Sequence, residues 1–305
     1  MNYQYNEEML NKLHDLHKEM MKDFHTLCKK HGIRYFAVYG TLLGAIRERG
    51  FIPWDDDVDF GLLREDFDKL LSIPPEEYND KYAILAPDLG CVNYDFIPKF
   101  ERKDSKFISP WRYATGIMDE NYLGGVFIDL FVYENIDPKA FKKQVNKVGM
   151  IKVLNFEAVT HRRLAIGTGI RRMLKKGIKW ILYVILRVLR FDGKKAAKVY
   201  LATVNQPEET GWVNDFFKLM LNHLIKKKDL LPIIEKEFED ITICVPNNYD
   251  EMLRNSYGVD YMTPPPLAQR VNHAPIMIQF PGEDVIELRK TDPDSAFNEY
   301  GGINV

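Results

Sequence analysis

The stretch from Tyr39 to Phe60, YGTLLGAIRERGFIPWDDDVDF, constrains this chain more than any other. It ends in the alternation Asp57-Val58-Asp59-Phe60, the pattern of a strand entering a core. Side chains two apart on a strand share a face, so Asp57 and Asp59 project together while Val58 and Phe60 turn inward. Two carboxylates on one face repel unless something cationic stands between them. A divalent metal with hard oxygen ligands meets that need, Mg²⁺ first among them. Asp129 extends the set. It interrupts the apolar run Val126 to Val132, which reads as a buried strand, and a lone buried carboxylate calls for a cation.

Ahead of the carboxylates stands Gly40-Thr41, between a short strand at 35–39 and a short helix at 42–47. A glycine at such a turn lets backbone N–H groups approach an anion closely. Thr41 adds a hydroxyl donor for a phosphate, and Arg47 a charged one. Strand, glycine turn, helix and three carboxylates together describe a metal-dependent phosphoryl-transfer site. The competing reading of Asp55-Asp56-Asp57 is a solvated acidic loop. On the sequence alone, Asp55 and Asp56 are assigned to that loop.

The other elements give an α+β chain. Leu10, Leu13, Leu16, Met20, Phe24 and Leu27 predict an amphipathic helix over 6–30, ended by Gly32. A helix over 64–71 stops before Pro74-Pro75. Strands are expected at 96–100 and 125–132, helices from 139 to about 228, a hairpin-like stretch at 238–245 and a helix at 249–255. Charge is concentrated in the middle. The net charge of the 305 residues is −2, which excludes nucleic-acid binding by bulk charge. Yet twelve Lys and Arg face one acid, Asp192, between His161 and Lys198. That segment also holds the longest apolar run, Trp180 to Leu186, far short of the roughly 20 residues of a spanning helix. A basic amphipathic stretch of this kind suits an anionic membrane surface. Three scattered cysteines, Cys28, Cys91 and Cys244, fit a reducing cytosol, and the opening MNYQYNEEML lacks the features of a signal peptide.

The motif Gly40-Thr-Leu-Leu-Gly-Ala-Ile-Arg47, followed by Gly50-Phe-Ile-Pro-Trp-Asp-Asp-Asp-Val-Asp59, resembles the LicD family of phosphocholine transferases, to which fukutin-related proteins are more distantly similar. The likeness continues in order through Ile97-Pro-Lys99, Gly125-Val-Phe-Ile-Asp129, Val245-Pro-Asn-Asn-Tyr249 and Tyr257-Gly-Val-Asp-Tyr-Met-Thr-Pro-Pro265. It departs where Pro266-Leu267-Ala268-Gln269 precedes Arg270, and in the tail beyond Asn272 and His273.

The resemblance implies a polymerase-β-like nucleotidyltransferase fold, a mixed sheet flanked by helices with a helical middle segment. Residues 1–138 would form the catalytic core, 139–230 the basic helical segment, and 231–305 a C-terminal part completing the catalytic domain. It implies transfer of phosphocholine from CDP-choline to a sugar hydroxyl of a bacterial surface glycan or teichoic-acid precursor, releasing CMP. The implied metal ligands are Asp57, Asp59 and Asp129, for Mg²⁺ or Mn²⁺. Gly40, Thr41 and Arg47 would hold phosphate oxygens, with Lys99 a further phosphate contact or else a solvated strand-end lysine. Choline calls for aromatic faces, for which Trp54, Trp111 and Tyr113 are the candidates. Arg270 and His273 are further site candidates. The rival readings are another CDP-alcohol donor such as CDP-ribitol, transfer of a nucleoside monophosphate, and a non-catalytic glycan-binding protein at a membrane surface. The expected location is the cytoplasm, peripheral at the inner face of the plasma membrane through residues 161–198.

Overall fold

The computed structural model describes residues 5–91, 95–116, 124–160, 169–205, 208–217, 224–270, 272, 274–291 and 295–296. In chain order, helix α1 (Glu7–Lys30) leads to strand β1 (Tyr35–Ala37), helix α2 (Tyr39–Arg47), strand β2 (Asp59–Leu63) and helix α3 (Arg64–Leu71). Strands β3 (Tyr82–Leu85), β4 (Lys99–Arg102) and β5 (Lys106–Ile108) follow, then helix α4 (Pro110–Thr115) and the long strand β6 (Phe127–Asn135). Three helices come next, α5 (Phe141–Val159), α6 (Gly169–Val188) and α7 (Gly193–Val204). The chain then returns through β7 (Trp212–Asn214), β8 (Ile225–Lys226) and α8 (Lys227–Leu230). It closes with the hairpin β9 (Ile234–Phe238) and β10 (Ile241–Val245), helix α9 (Tyr249–Tyr257), and strands β11 (Met277–Gln279) and β12 (Ile286–Glu287).

The main sheet is mixed, in the order β1-β2-β6-β4-β3. β2 and β6 run parallel, whereas β1, β4 and β3 pair antiparallel with their neighbours. The segment from Lys139 onward is helical only to Val204. Its later part comes back to the sheet, because β7 pairs with β6 at Glu134 and Asn135.

Helix α1 starts at Asn6, whose side chain accepts a hydrogen bond from the Met9 N–H at 2.8 Å. This supplies one of the N-terminal amides with the partner it would otherwise lack. The predicted apolar stripe is buried: Leu13, Met20 and Phe24 are fully enclosed, and Met21 beside them as well. Phe24 lies 5.4 Å from Phe60 of β2 and 5.2 Å from Phe100 of β4 between ring centroids. The α1 face of the sheet is therefore the one to which Phe60 turns. A second core forms where α5 packs on α7, with Phe96 stacked on Tyr200 at 4.4 Å. Because α1 takes the Val58 and Phe60 face, Asp59 is left on the opposite face.

Candidate active site

Register makes the site. Asp59 on β2 stands directly across from Asp129 on β6, and Asp129 directly across from Lys99 on β4. Paired residues on adjacent strands share a face, so the three form one row across three neighbouring strands. The Lys99 ammonium contacts Asp129 Oδ1 and lies 3.6 Å over the Phe127 ring. Lys99 is 6% exposed, which removes the solvated strand-end reading. The cation that the half-buried Asp129 carboxylate calls for is supplied, in the protein alone, by Lys99.

The turn after β1 brings a second group of residues to this row. Helix α2 begins at Tyr39, two residues after the strand ends, and so takes Gly40 and Thr41 into its first turn rather than leaving them in a loop. Tyr39 has a φ of +46°, in the left-handed region that a side-chain-bearing residue seldom occupies. Its hydroxyl donates to Asp215 Oδ2 at 2.5 Å, and its ring packs on Phe131 and Phe217. Strained backbone held this firmly is typical of functional turns.

The Thr41 hydroxyl accepts a hydrogen bond from the Asp59 N–H at 2.8 Å, which ties α2 to the start of β2. Gly40 makes room for the Asp55 carboxylate, whose Oδ2 a Cβ there would meet. Asp55 therefore lies against the first turn of α2, where the helix dipole favours a negative group.

Asp55 lies in the irregular segment ahead of β2, as the loop reading has it, yet its carboxylate comes against Gly40. Asp55, Asp57 and Asp59 continue one period-two alternation. Asp56 turns to the other side, is 3% exposed, and interacts with Tyr5 and His17 of the α1 layer. Burial first, then the charge of Asp57, pushes the Asp55 and Asp59 carboxyls well above the usual range. Asp129 adds to the push on Asp59, and Lys99 opposes it. Burial raises Asp129 to about 6, against the restraining effect of Lys99. Tyr257, at the end of α9, belongs to the same field: after burial, Asp59, Asp55 and Asp57 are what raise its phenol.

Arg47 lies at the end of α2 with its side chain 5% exposed. Its Nε meets Glu48 at 2.7 Å and one terminal nitrogen donates to the Tyr261 carbonyl at 3.2 Å. The other, Nη2, is buried without a hydrogen-bond partner. An orphaned buried donor on a cation is costly and has the chemistry to take an anion. Trp54 carries Arg47 on its ring at 5.9 Å and Arg270 at 4.5 Å. Trp111 and Tyr113 sit elsewhere, around Ala114 with Phe156, so the three aromatic candidates are not brought together. His273 lies outside the described residues.

The donor set is hard oxygen only, which fits a divalent cation by chemistry. As they stand, no three His, Cys, Asp or Glu side chains among the described residues converge on one ion position. The carboxylates supply the charge for an ion, and Lys99 occupies part of that role.

Comparison with known proteins places this geometry. Residues 32–145, which hold the whole row and the α2 turn, match the nucleotidyltransferase domain described for LicD, FKTN and FKRP. In this segment the chain is similar to the LicD family. Over 259 residues it is 28% identical to the lipopolysaccharide cholinephosphotransferase LicD of Haemophilus influenzae, covering 82% of this chain and 90% of that protein. Shorter matches join it to uncharacterized proteins of Rickettsia prowazekii, 48% identical over 58 residues, and Rickettsia typhi, 42% over 98. These cover 22% and 30% of the Rickettsia proteins.

Gly40→Ala tests the α2 turn of the matched segment. The added Cβ meets only the far end of the Asp55 side chain, which can rotate away. Turnover is expected to fall by about tenfold or more, with unfolding stability changed by less than about 1 kcal/mol. Steady-state kinetics and a thermal melt check both.

Proposed function

We propose that the protein is a metal-dependent phosphocholine transferase on a nucleotidyltransferase-like fold, taking phosphocholine from CDP-choline to a sugar hydroxyl and releasing CMP. The acceptor class is a bacterial surface glycan, as lipopolysaccharide or a teichoic-acid precursor, worked on at the inner face of the plasma membrane. The observation that carries the reading is the Asp59–Asp129–Lys99 row, together with the buried, unpartnered Nη2 of Arg47 at the end of α2. It is supported by the likeness to a named cholinephosphotransferase over most of both chains.

In this reading Asp57, Asp59 and Asp129 would hold a Mg²⁺ or Mn²⁺ ion, Asp129 giving up its contact with Lys99. The ion supplies charge neutralisation for the diphosphate and holds its oxygens. Arg47 Nη2 takes a phosphate oxygen, with the α2 turn at Gly40 and Thr41 beside it. Lys99, released from Asp129, places its ammonium on the transferring phosphate.

The acceptor oxygen attacks the phosphocholine phosphorus. The bond to the CMP phosphate breaks with its electron pair, and Asp129 takes the acceptor proton. In the resting pair with Lys99 the Asp129 carboxyl is raised only to about 6, so it enters the reaction ionised at neutral pH, as a base must be. Trp54, with two guanidinium groups on its ring, serves to position Arg47 and Arg270 for the diphosphate; a quaternary ammonium would be repelled there.

Phosphorus NMR of the products separates this from its rivals. CDP-choline, CDP-ribitol and CTP are each offered with Mg²⁺ and envelope glycolipid. CMP formed with phosphocholine on the acceptor is expected from CDP-choline. Pyrophosphate from CTP would replace the proposal with nucleotidyl transfer, and CMP from CDP-ribitol alone would change the donor.

A further inference from the structure

Helix α6 is amphipathic with its apolar side outward. The face toward the body carries Arg172, Lys176, Lys179, Leu182, Tyr183 and Leu186, of which only Leu186 is buried. Lys179 anchors the helix to α5 through Glu157 at 2.7 Å and lies 5.0 Å over the Phe156 ring. The opposite face is apolar and open to solvent. Ile170 is 77% exposed, Met173 73%, Ile178 66%, Ile181 56% and Val188 76%, with Trp180 at 59% on its margin. At 100° per residue these positions, with Leu174, Val184, Ile185 and Leu189, cover about half of the helix circumference. A soluble helix normally shows the reverse arrangement, and an exposed apolar surface of this size marks a binding face.

The charges around it name what covers it. Residues 169–190 contain seven Lys and Arg and no acid. Arg171 and Lys175 flank the apolar face on one side and Arg187 on the other, all exposed. A second copy docked on this face would bring those cations against their own counterparts, with no acid on the helix to answer them. An anionic leaflet offers both things that the helix lacks, an apolar layer for Ile170 to Leu189 and negative headgroups for the flanking cations. Among the described residues no helix is long and apolar enough to cross a membrane, and α6, about 30 Å long, has the length and charge to lie in its surface.

We propose that α6 is an interfacial helix that seats the protein on an anionic bilayer, its Ile170–Leu189 face in the acyl boundary and Arg171, Lys175 and Arg187 at the phosphates. This inference rests on α6 alone and stands whether or not the transferase reading does.

The full chain is tested with vesicles of phosphatidylcholine, with and without phosphatidylglycerol, in the absence of any donor or acceptor. Flotation with the mixed vesicles is expected, together with a blue shift of tryptophan fluorescence that Trp180→Phe removes. Ile181→Asp with Val188→Asp, and separately Arg171→Glu with Arg187→Glu, are each expected to lower partitioning at least about tenfold. All four positions are exposed, so the melting temperature should stay near that of the parent. Absence of binding to mixed vesicles at low salt overturns the proposal, as does binding that both double variants retain. A dimer in light scattering that Ile181→Asp with Val188→Asp converts to a monomer, without vesicle binding, would assign the face to a second copy instead.

Discussion

Asp57→Asn and Asp59→Asn are each expected to reduce turnover by about a thousandfold or more while leaving the protein folded and, for Asp59→Asn, more stable than the parent. The two halves of the prediction have one cause. Asp59 is 8% exposed, lies opposite Asp129 in the sheet, and shares its face with Asp57 and Asp55. Ionising a carboxyl there works against burial and against three like charges, with only Lys99 in its favour. The amide isostere keeps the shape, and the Thr41 bond survives because it is made to the Asp59 backbone N–H. Removing the charge is thus expected to raise stability by about 1 kcal/mol. Stability gained where activity is lost is what a functional charge cluster predicts. A structural carboxylate would give the opposite, lost stability together with lost activity. Steady-state kinetics and urea unfolding on the same preparations decide.

Lys99→Met is expected to produce the largest stability change. Its ammonium is the cation on Asp129 and is itself enclosed. Breaking a buried ion pair from one side costs about 3–5 kcal/mol because the remaining charge is uncompensated. Here protonation of Asp129 recovers part of that loss, since its carboxyl already sits at about 6. The sign follows from linkage. A carboxyl whose folded pKa lies above its ordinary value of about 3.9 binds its proton earlier in the native state, so stability is greatest at low pH and is lost as pH rises through the folded pKa. For the parent that loss falls around pH 6. Without Lys99 the pKa rises further, so the variant should gain stability on going from pH 7.5 to 5.5 by a larger margin than the parent. A divalent cation at pH 7.5 should restore stability to the variant, because it replaces the lost charge. A variant indifferent to both pH and cation would show that Lys99 is not the counter-charge of this row.

Much of this site was legible in the sequence because period-two alternation is a local property. Asp57, Asp59 and Asp129 were identified from their spacing and from the apolar residues around them, and β2 and β6 place Asp59 and Asp129 side by side. Asp55 stands in an irregular segment, as an acidic run suggests, and what brings its carboxylate to the α2 turn is its close approach to Gly40, which no local pattern announces. What the sequence did not contain was register. Nothing local says that Lys99 is opposite Asp129, thirty residues away, or that Phe96 leaves the strand at a φ of +63° so that β4 begins only at Lys99. The Trp54 stack with Arg47 and Arg270 joins residues more than two hundred positions apart. The start of α2 was misplaced because a glycine after a strand reads as a turn, whereas the close approach of Asp55 is what Gly40 serves.

The central claim is that the Asp57–Asp59–Asp129 face transfers phosphocholine from a CDP donor. Its most direct test is CMP release from CDP-choline by the purified protein with Mg²⁺, with and without envelope glycolipid, for the parent and for Asp57→Asn. Acceptor-dependent CMP from the parent, lost on chelation and lost in the variant, is the predicted result. Equal CMP release by parent and variant would contradict it.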